Sequence, residues 1–346
     1  MSAATGAAPG SAAPVRAAVL GSGSWGTTFA MVLADAGCDV TLWGRDEAVA
    51  RSVGDDRRNE KYLPGVELPV MAGTTDAAEA LAGASLVVVA IPSQVSRATL
   101  EGLAHLVEPD AVVVSLMKGV ELTTDKRMSQ VVSEALGVPA ERVAVVSGPN
   151  LAPEIAARQP TATVVASTSD ETARFVATAC ANGYFRPYTN DDVVGVELCG
   201  AVKNIIALAV GMAQGRGFGW NTTATLITRG LVEITRLGLA LGAEVETFSG
   251  LAGMGDLVAT CASPLSRNHT LGKHLGQGLS LEEALKVTGG TAEGVKSSQS
   301  VLELAGKHGI DMPITAGVVG VLSGALPLSE LAVALLSRPQ KSEGVY

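Results

Sequence analysis

Residues 15–26 read Val15-Arg-Ala-Ala-Val-Leu-Gly21-Ser-Gly23-Ser-Trp-Gly26, a short apolar run followed at once by the pattern G-x-G-x-x-G. Val15–Leu20 has the length and composition of a buried strand, and Thr27–Ala36 beyond the turn carries helical periodicity. In that setting each glycine has its own duty. Gly21 permits the tight turn, Gly23 lets a pyrophosphate approach the backbone, and Gly26 allows the helix to pack closely on the strand. Free N–H groups at the helix start then face the phosphates. Glycine turns are common in a chain with 40 glycines, so the position at the first strand–helix junction is what separates a dinucleotide site from a plain turn.

The pattern continues outward from this junction. Asp39–Trp43 is a second strand, and β-branched apolar runs follow at Leu86–Ile91, Val112–Leu116, Val143–Ser147 and Thr163–Ala166, with Tyr184–Tyr188 as a last strand. Strands that are apolar throughout and alternate with helical segments predict an α/β fold, a Rossmann-type doubly wound parallel sheet covered on both faces. After about Asp192 convincing strands disappear, and Val193–Ala213, Thr222–Leu241, Ser280–Val287 and Ser297–Lys307 have helical periodicity. The expected organisation is a disordered tail at 1–14, a dinucleotide-binding domain at 15–191 and an all-helical substrate-binding and catalytic domain at 192–346. A ligand site between the two domains follows from that layout.

Composition narrows the function. The 346 residues are 47% hydrophobic and 17% charged, which excludes a mostly disordered chain and fits two domains at roughly 100–200 residues each. The 34 acidic and 25 basic side chains give a net charge of −9 with no basic stripe, which argues against nucleic acid as partner. Cys38, Cys180, Cys199 and Cys261 are too widely spaced for a zinc motif, and the four histidines form no metal constellation, so no metal is expected. The cysteines read as buried reduced thiols, hence a reducing compartment. Met1–Pro14 has neither charge nor a long apolar core and does not read as a signal peptide, and Leu198–Ala213 is too short for a membrane span. A cytoplasmic protein without a membrane span is the expectation.

A few charged residues carry chemistry. Lys203, followed by Asn204, is the only charged side chain between Leu198 and Ala213, on a helix apolar nearly all round and therefore buried. Desolvation lowers a lysine's pKa from ~10.4 towards neutrality, which suits proton exchange with a carbonyl or hydroxyl oxygen. The alternative is a lysine that snorkels to the surface. Lys118 lies just beyond the strand Val112–Leu116, where parallel sheets bind ligands, although a lone loop lysine is usually just solvated. Asp256, in Gly253-Met-Gly-Asp-Leu-Val-Ala-Thr260, either holds a buried lysine or caps a helix. Ser266-Arg267-Asn268 opens a helix, and Arg267 offers a fork of donors to a phosphate unless the segment is a solvent-facing cap. The second strand ends Trp43-Gly44-Arg45-Asp46. Arg45 would accept the 2′-phosphate of NADP, and Asp46 would bind the ribose hydroxyls of NAD, pair with Arg45 or stand solvated. Arg45 is nearer the strand end, which favours NADPH with NADH also served.

From Val15 nearly to the C-terminus the chain resembles the bacterial NAD(P)-dependent glycerol-3-phosphate dehydrogenases. The segments that carry the resemblance are Gly-Ser-Gly-Ser-Trp-Gly-Thr at 21–27, Trp43-Gly-Arg, Tyr62-Leu-Pro, Lys118-Gly-Val-Glu, Ser147-Gly-Pro-Asn, Gly195-Val-Glu-Leu-Cys-Gly-Ala-Val-Lys-Asn, Leu251-Ala-Gly-Met-Gly-Asp-Leu, Ser266-Arg-Asn and Glu293-Gly. Their order along almost the whole chain is what makes the match specific. The resemblance implies a fold of the 6-phosphogluconate dehydrogenase type and reversible reduction of dihydroxyacetone phosphate to sn-glycerol 3-phosphate for glycerophospholipid synthesis. It implies Lys203 as proton donor and acceptor, Lys118 and Asn204 on the substrate oxygens, and Asp256 supporting the lysine. Gly148, Asn150, Thr260, Ser266, Arg267 and Asn268 would line the substrate or its phosphate. Ser24, Trp25, Arg45, Tyr62, Lys118, Ala152, Arg267, Thr291 and Glu293 match cofactor-contacting positions. Asn150 departs from the family, where Ser or Thr is frequent, and the Ala/Gly-rich tail has no family counterpart. An apolar helical second domain fits a homodimer. Two rival readings are a related dehydrogenase of a sugar acid or keto acid, which needs carboxylate recognition, and a non-catalytic NAD(P)H sensor, which needs no buried Lys203 beside Asn204.

Overall fold

The computed structural model describes residues 13–289 and 292–331. Eight strands form one sheet: β1 (Arg16–Leu20), β2 (Asp39–Trp43), β3 (Ala72–Thr74), β4 (Leu86–Val89), β5 (Val112–Ser115), β6 (Val143–Ser147), β7 (Thr161–Ala166) and β8 (Phe185–Asn190), in the order β3-β2-β1-β4-β5-β6-β7-β8. The direction of winding reverses between β1 and β4, so the carboxyl ends of these two strands open the crevice in which doubly wound sheets take ligands. Apolar clusters cover both faces, one built around Phe29, Leu33 and Phe185, the other around Leu100, Met128 and Val131.

Two sheet expectations need correction. β3, a strand of three residues with no apolar run, was not read from the sequence; it pairs with β2, and Gly73 at its centre lies so close to Ala50 O that a Cβ there would strike it. The sheet is also not wholly parallel: β7 runs antiparallel to β6, with Val145 opposite Ala166, while β8 runs parallel to β7. Between β6 and β7 the chain makes only the five-residue helix Ala152–Ala156 and returns directly, without the crossover a parallel step requires. Apolar runs report burial, not strand direction. The antiparallel step brings Thr163 of β7 beside Gly148 at the end of β6.

Beyond Asn190 the elements among the described residues are all helices. The helix Val193–Gly215 is buried without a break from Val196 to Met212, as a helix apolar on all sides must be. At 23 residues it is longer than the run read from the sequence and has the length and apolarity of a membrane span, yet 94% of its apolar window is buried inside the protein. Around it pack Trp220–Ala240, Asp256–Ala262, Arg267–Gly276, Glu293–Lys307 and Pro313–Leu322; Asp256–Ala262 and Pro313–Leu322 are not among the helices read from the sequence. The expected helix at Ser297 begins four residues earlier, at Glu293.

One contact fixes the helical region's geometry. A Cβ on Gly272 would strike the backbone oxygen of Leu208, and one on Gly211 would strike that of His269. The helices Val193–Gly215 and Arg267–Gly276 therefore touch backbone to backbone, which brings the start of the second helix alongside Asn204. On the sheet side, Glu197 of the long helix accepts from the Ser129 backbone N–H (2.7 Å), the Ser129 hydroxyl (2.5 Å) and Arg127 (2.5 Å), tying this helix to the start of Met128–Leu136. All four cysteines are free. The tail at 1–12 and residues 332–346 lie outside the described residues.

Candidate active site

The glycine turn begins where β1 ends. Gly21 has φ +123°, donates its N–H to Trp43 O at 2.9 Å, and would place a Cβ 2.5 Å from Ala90 O. A Cβ on Gly26 would collide with Gly21 O, whereas one on Gly23 would meet nothing within 4 Å. The outer glycines are thus required by packing, and the middle one leaves the turn open to a ligand. Ser24 starts the helix Ser24–Asp35 and donates to Tyr62 O at 2.6 Å. Trp25 packs edge-on to Phe29, with its indole N–H buried and unpartnered.

Asn59 is a residue of this site that sequence reasoning missed. It is buried and donates to Ser22 O (2.9 Å) and Thr27 Oγ1 (2.8 Å), fixing the turn from a separate loop. Its side-chain Oδ1 is left without a partner. At the end of β2, Asp46 does not pair with Arg45. It caps the helix Glu47–Arg51 through the Ala48 and Val49 N–H groups and takes an ion pair from Lys61 at 2.7 Å. Arg45 is exposed and, among the described residues, without an ion-pair partner. A turn open at Gly23, two orphaned buried polar atoms and a free guanidinium suit a dinucleotide whose ribose carries a phosphate. Ala152 opens the short helix after β6 and receives the Thr28 hydroxyl on its carbonyl at 3.4 Å. Thr291 lies outside the described residues.

The second half of the site gathers residues from the sheet's edge and from the helices. Lys203, buried on the long helix, donates to the Asp256 carboxylate and to Thr260 Oγ1 at 2.7 Å. Asp256 is the first residue of Asp256–Ala262, and its other oxygen receives Lys118 at 2.8 Å. Lys118 also approaches Gly148 O at 3.5 Å. One buried carboxylate thus holds two ammonium groups, and neither snorkelling nor helix capping describes what Lys203 and Asp256 do. Burial pushes the pKa of Lys203 down, against the attraction of Asp256, and the charge of Lys118 adds to the fall. Burial acts to raise the Asp256 carboxyl, but Lys118 and Lys203 outweigh it and hold it below the usual carboxylate range.

Asn204 is buried one position on, its amide reaching only Gly200 O at 3.5 Å. Ser266 caps the helix Arg267–Gly276 by accepting from the His269 N–H at 3.3 Å, and Asn268 Oδ1 accepts from the Gly294 N–H at 3.0 Å. The Ser266 O–H and the Asn268 NH₂ remain as donors beside the exposed Arg267. Asn150 donates to Thr163 Oγ1 at 3.0 Å and keeps a buried, unpartnered Oδ1. Glu293 accepts from Ser93 at 3.0 Å, and burial raises its carboxyl despite the pull of Lys296 and Arg267. Ser93 was not foreseen, because nothing in its local sequence marks it. Among the described residues no cluster of His, Cys, Asp or Glu could hold a metal.

Comparison with known proteins places this geometry in a family. Residues 16–173 match the model of the NAD-dependent glycerol-3-phosphate dehydrogenase N-terminus, and residues 192–333 match that of its C-terminus. A glycerol-3-phosphate dehydrogenase [NAD(P)+] of Streptomyces griseus is 59% identical over 95% of this chain and 98% of its own length, and one of Thermobifida fusca is 55% identical over 95% and 98%. The crystal structure of glycerol-3-phosphate dehydrogenase from Coxiella burnetii superposes with a TM-score of 0.89 at 37% identity, covering 94% of this chain and 99% of that one. D-mandelate dehydrogenase, at 12% identity and a TM-score of 0.57, shares the fold alone. With both family models matched in order and spanning most of its length, this chain belongs to the NAD-dependent glycerol-3-phosphate dehydrogenases.

Proposed function

We infer that this chain catalyses the NAD(P)H-dependent, reversible reduction of dihydroxyacetone phosphate to sn-glycerol 3-phosphate, the product from which glycerophospholipids are built. The observation that carries the assignment is the buried Lys203, whose ammonium shares the Asp256 carboxylate with Lys118. Bound NAD(P)H supplies the hydride that enters the ketone carbon. As the C=O π pair moves onto oxygen, protonated Lys203 gives that oxygen its proton; in the oxidation direction the neutral amine takes it back. Asp256 keeps the proton on a lysine that burial would otherwise strip of it. Lys118 and the Asn204 amide stabilise the developing charge in a site shielded from water.

The N-terminus of Arg267–Gly276 holds the substrate phosphate through the Arg267 guanidinium, the free Ser266 and Asn268 donors and the first N–H groups of the helix. Fixing the phosphate there orients the ketone on Lys203. Gly148, whose carbonyl lies 3.5 Å from Lys118 Nζ, faces the substrate, and Asn150 Oδ1 accepts from a substrate hydroxyl. Gly21, Gly23, Ser24, Trp25, Gly26, Tyr62, Ala152, Thr291 and Glu293 line the cofactor, with Arg45 on the 2′-phosphate, so NADPH is preferred and NADH accepted. Residues 15–191 bind the dinucleotide and 192–346 supply the substrate site. The protein acts in the cytoplasm, which its free cysteines suit, and as a homodimer, for which exposed Phe218 and Trp220 on the helical region offer apolar surface.

The test is oxidation of NADPH by dihydroxyacetone phosphate, followed by absorbance, with Lys203→Ala and NADH alongside. Turnover that falls ~10²–10⁴-fold in the variant is the expected result. Binding of NADPH with no turnover of this ketone would remove the substrate assignment.

A further inference from the structure

Lys118 stands on a loop, residues 116–127, between β5 and the helix Met128–Leu136, yet its ammonium must meet Asp256 across the domain junction. The loop does not hold its own shape cheaply. Thr123 has φ 75° and Asp125 φ 56°, left-handed conformations that non-glycine residues avoid and a β-branched threonine avoids most. The tip of the loop is tied to itself, Glu121 N–H to Lys126 O at 2.9 Å and Asp125 N–H to Glu121 O at 3.0 Å, but the stretch next to Lys118 is also held from outside. Gln94, in the helical turn Ser93–Val95 after β4, donates Nε2–H to Val120 O at 2.9 Å and accepts the Leu122 N–H on Oε1 at 2.9 Å. Its side-chain amide bonds the loop backbone as a neighbouring strand would.

The same Val120 carbonyl accepts the hydroxyl of Ser300, on Glu293–Lys307, at 3.1 Å, and the Val120 side chain is fully buried in the apolar core of the helical region. At the start of that helix, Glu293 takes the hydroxyl of Ser93, the residue next to Gln94. The turn after β4 therefore grips both the lysine loop and the helix that reaches in from the other side.

We propose that Gln94 is a positioning residue, which holds Lys118 on Asp256 through Val120 and Leu122 and thereby sets the substrate site without touching substrate. The proposal rests on the assignment of Lys118 to the substrate oxygens. The experiment is a double-mutant cycle on the full chain: Gln94→Leu, Lys118→Ala and the pair, with KM for dihydroxyacetone phosphate and for NADPH measured separately. Losing two neutral hydrogen bonds corresponds to a rise of about 10-fold in KM for dihydroxyacetone phosphate, with KM for NADPH within about twofold of its parent value. In the Lys118→Ala background the same substitution costs less than about twofold, because there is no lysine left to place.

Equal losses in both backgrounds, or a rise in KM for NADPH alone, would overturn the proposal. Should Gln94→Leu fail to fold, Ser300→Ala removes the other donor on Val120 O and carries the same cycle. It is expected to raise KM for dihydroxyacetone phosphate about two- to threefold in the parent and not in Lys118→Ala. Equal effects in the two backgrounds would refute the coupling of the Val120 carbonyl to Lys118, on which the role of Gln94 rests. If the parent chain left dihydroxyacetone phosphate untouched, the reaction assignment itself would fall, and this proposal with it; a parent that turns over while the cycle is additive removes Gln94 alone.

Discussion

Replacing Asp256 by Asn keeps the shape of the side chain and removes only its charge. At 2.8 Å from Lys118 Nζ the carboxylate's gross attraction is about 6 kcal/mol at an effective dielectric constant of about 20, and Lys203 is as close on the other oxygen. Desolvation offsets much of this, and the measured cost of stripping one partner from a buried ion pair is about 3–5 kcal/mol. The variant leaves two cations facing each other, and one of them relaxes by giving up its proton. Lys203 is the one that yields, since its side chain is 7% exposed against 16% for Lys118 and burial already depresses its pKa. At about 1.4 kcal/mol per pH unit, a loss near 3 kcal/mol lowers its titration by about two pH units. Reduction requires the protonated amine, so the alkaline fall of kcat/KM for dihydroxyacetone phosphate should move to lower pH by that amount. Turnover near pH 8 should drop about 10²-fold. Steady-state rates across pH 5–10, with circular dichroism to confirm folding, decide the matter. A folded variant whose alkaline limb has not moved would refute the claim that Asp256 keeps the proton on Lys203.

Arg45→Gln should lower kcat/KM for NADPH by about 10- to 100-fold, the range for a charge-assisted hydrogen bond, and leave NADH within about threefold. An equal loss with both coenzymes would remove Arg45 from the 2′-phosphate. Gly272→Val should destabilise the fold by roughly 1–3 kcal/mol or more, because the new side chain meets the Leu208 backbone, whereas Gly306→Ala, with nothing within 4 Å, should add about 0.4–1 kcal/mol; urea unfolding reads both. Glu233 is buried, accepting the Ile314 N–H at 2.6 Å, and burial raises its carboxyl to about 7 despite bonds from Ile314 and Thr315. The native state then binds the proton more tightly than the unfolded chain does. Stability from this group is present below the unfolded pKa of ~4.3 and is lost as pH rises towards 7. Glu233→Gln should therefore gain in melting temperature relative to the parent between pH 5 and pH 8; a constant difference would mean that Glu233 titrates normally.

Much of this protein was legible along the chain because the relevant signals are local. The G-x-G-x-x-G turn after Val15–Leu20 needs only neighbouring residues to define it: side chains at Gly21 and Gly26 would clash, and one at Gly23 would meet open space. Lys203 stood out because a charge in a continuous apolar helix is conspicuous wherever that helix lies. Strand direction was invisible, since Thr161–Ala166 is equally apolar whether it runs with β6 or against it. Asn59, Ser93 and Gln94 left no trace either, because their partners lie far away in sequence at Ser22, Glu293 and Val120.

The sequence by itself determined the class of fold, the glycine turn after the first strand and the set of polar residues available for chemistry, because periodicity and glycine placement follow from backbone sterics. Only the tertiary structure decided between alternatives for those polar residues. Asp46 was drawn to Lys61 and away from Arg45, and Asp256 turned to two lysines instead of a helix end. A charged group takes the partner that chain packing brings within reach, and that proximity is a property of the folded chain as a whole.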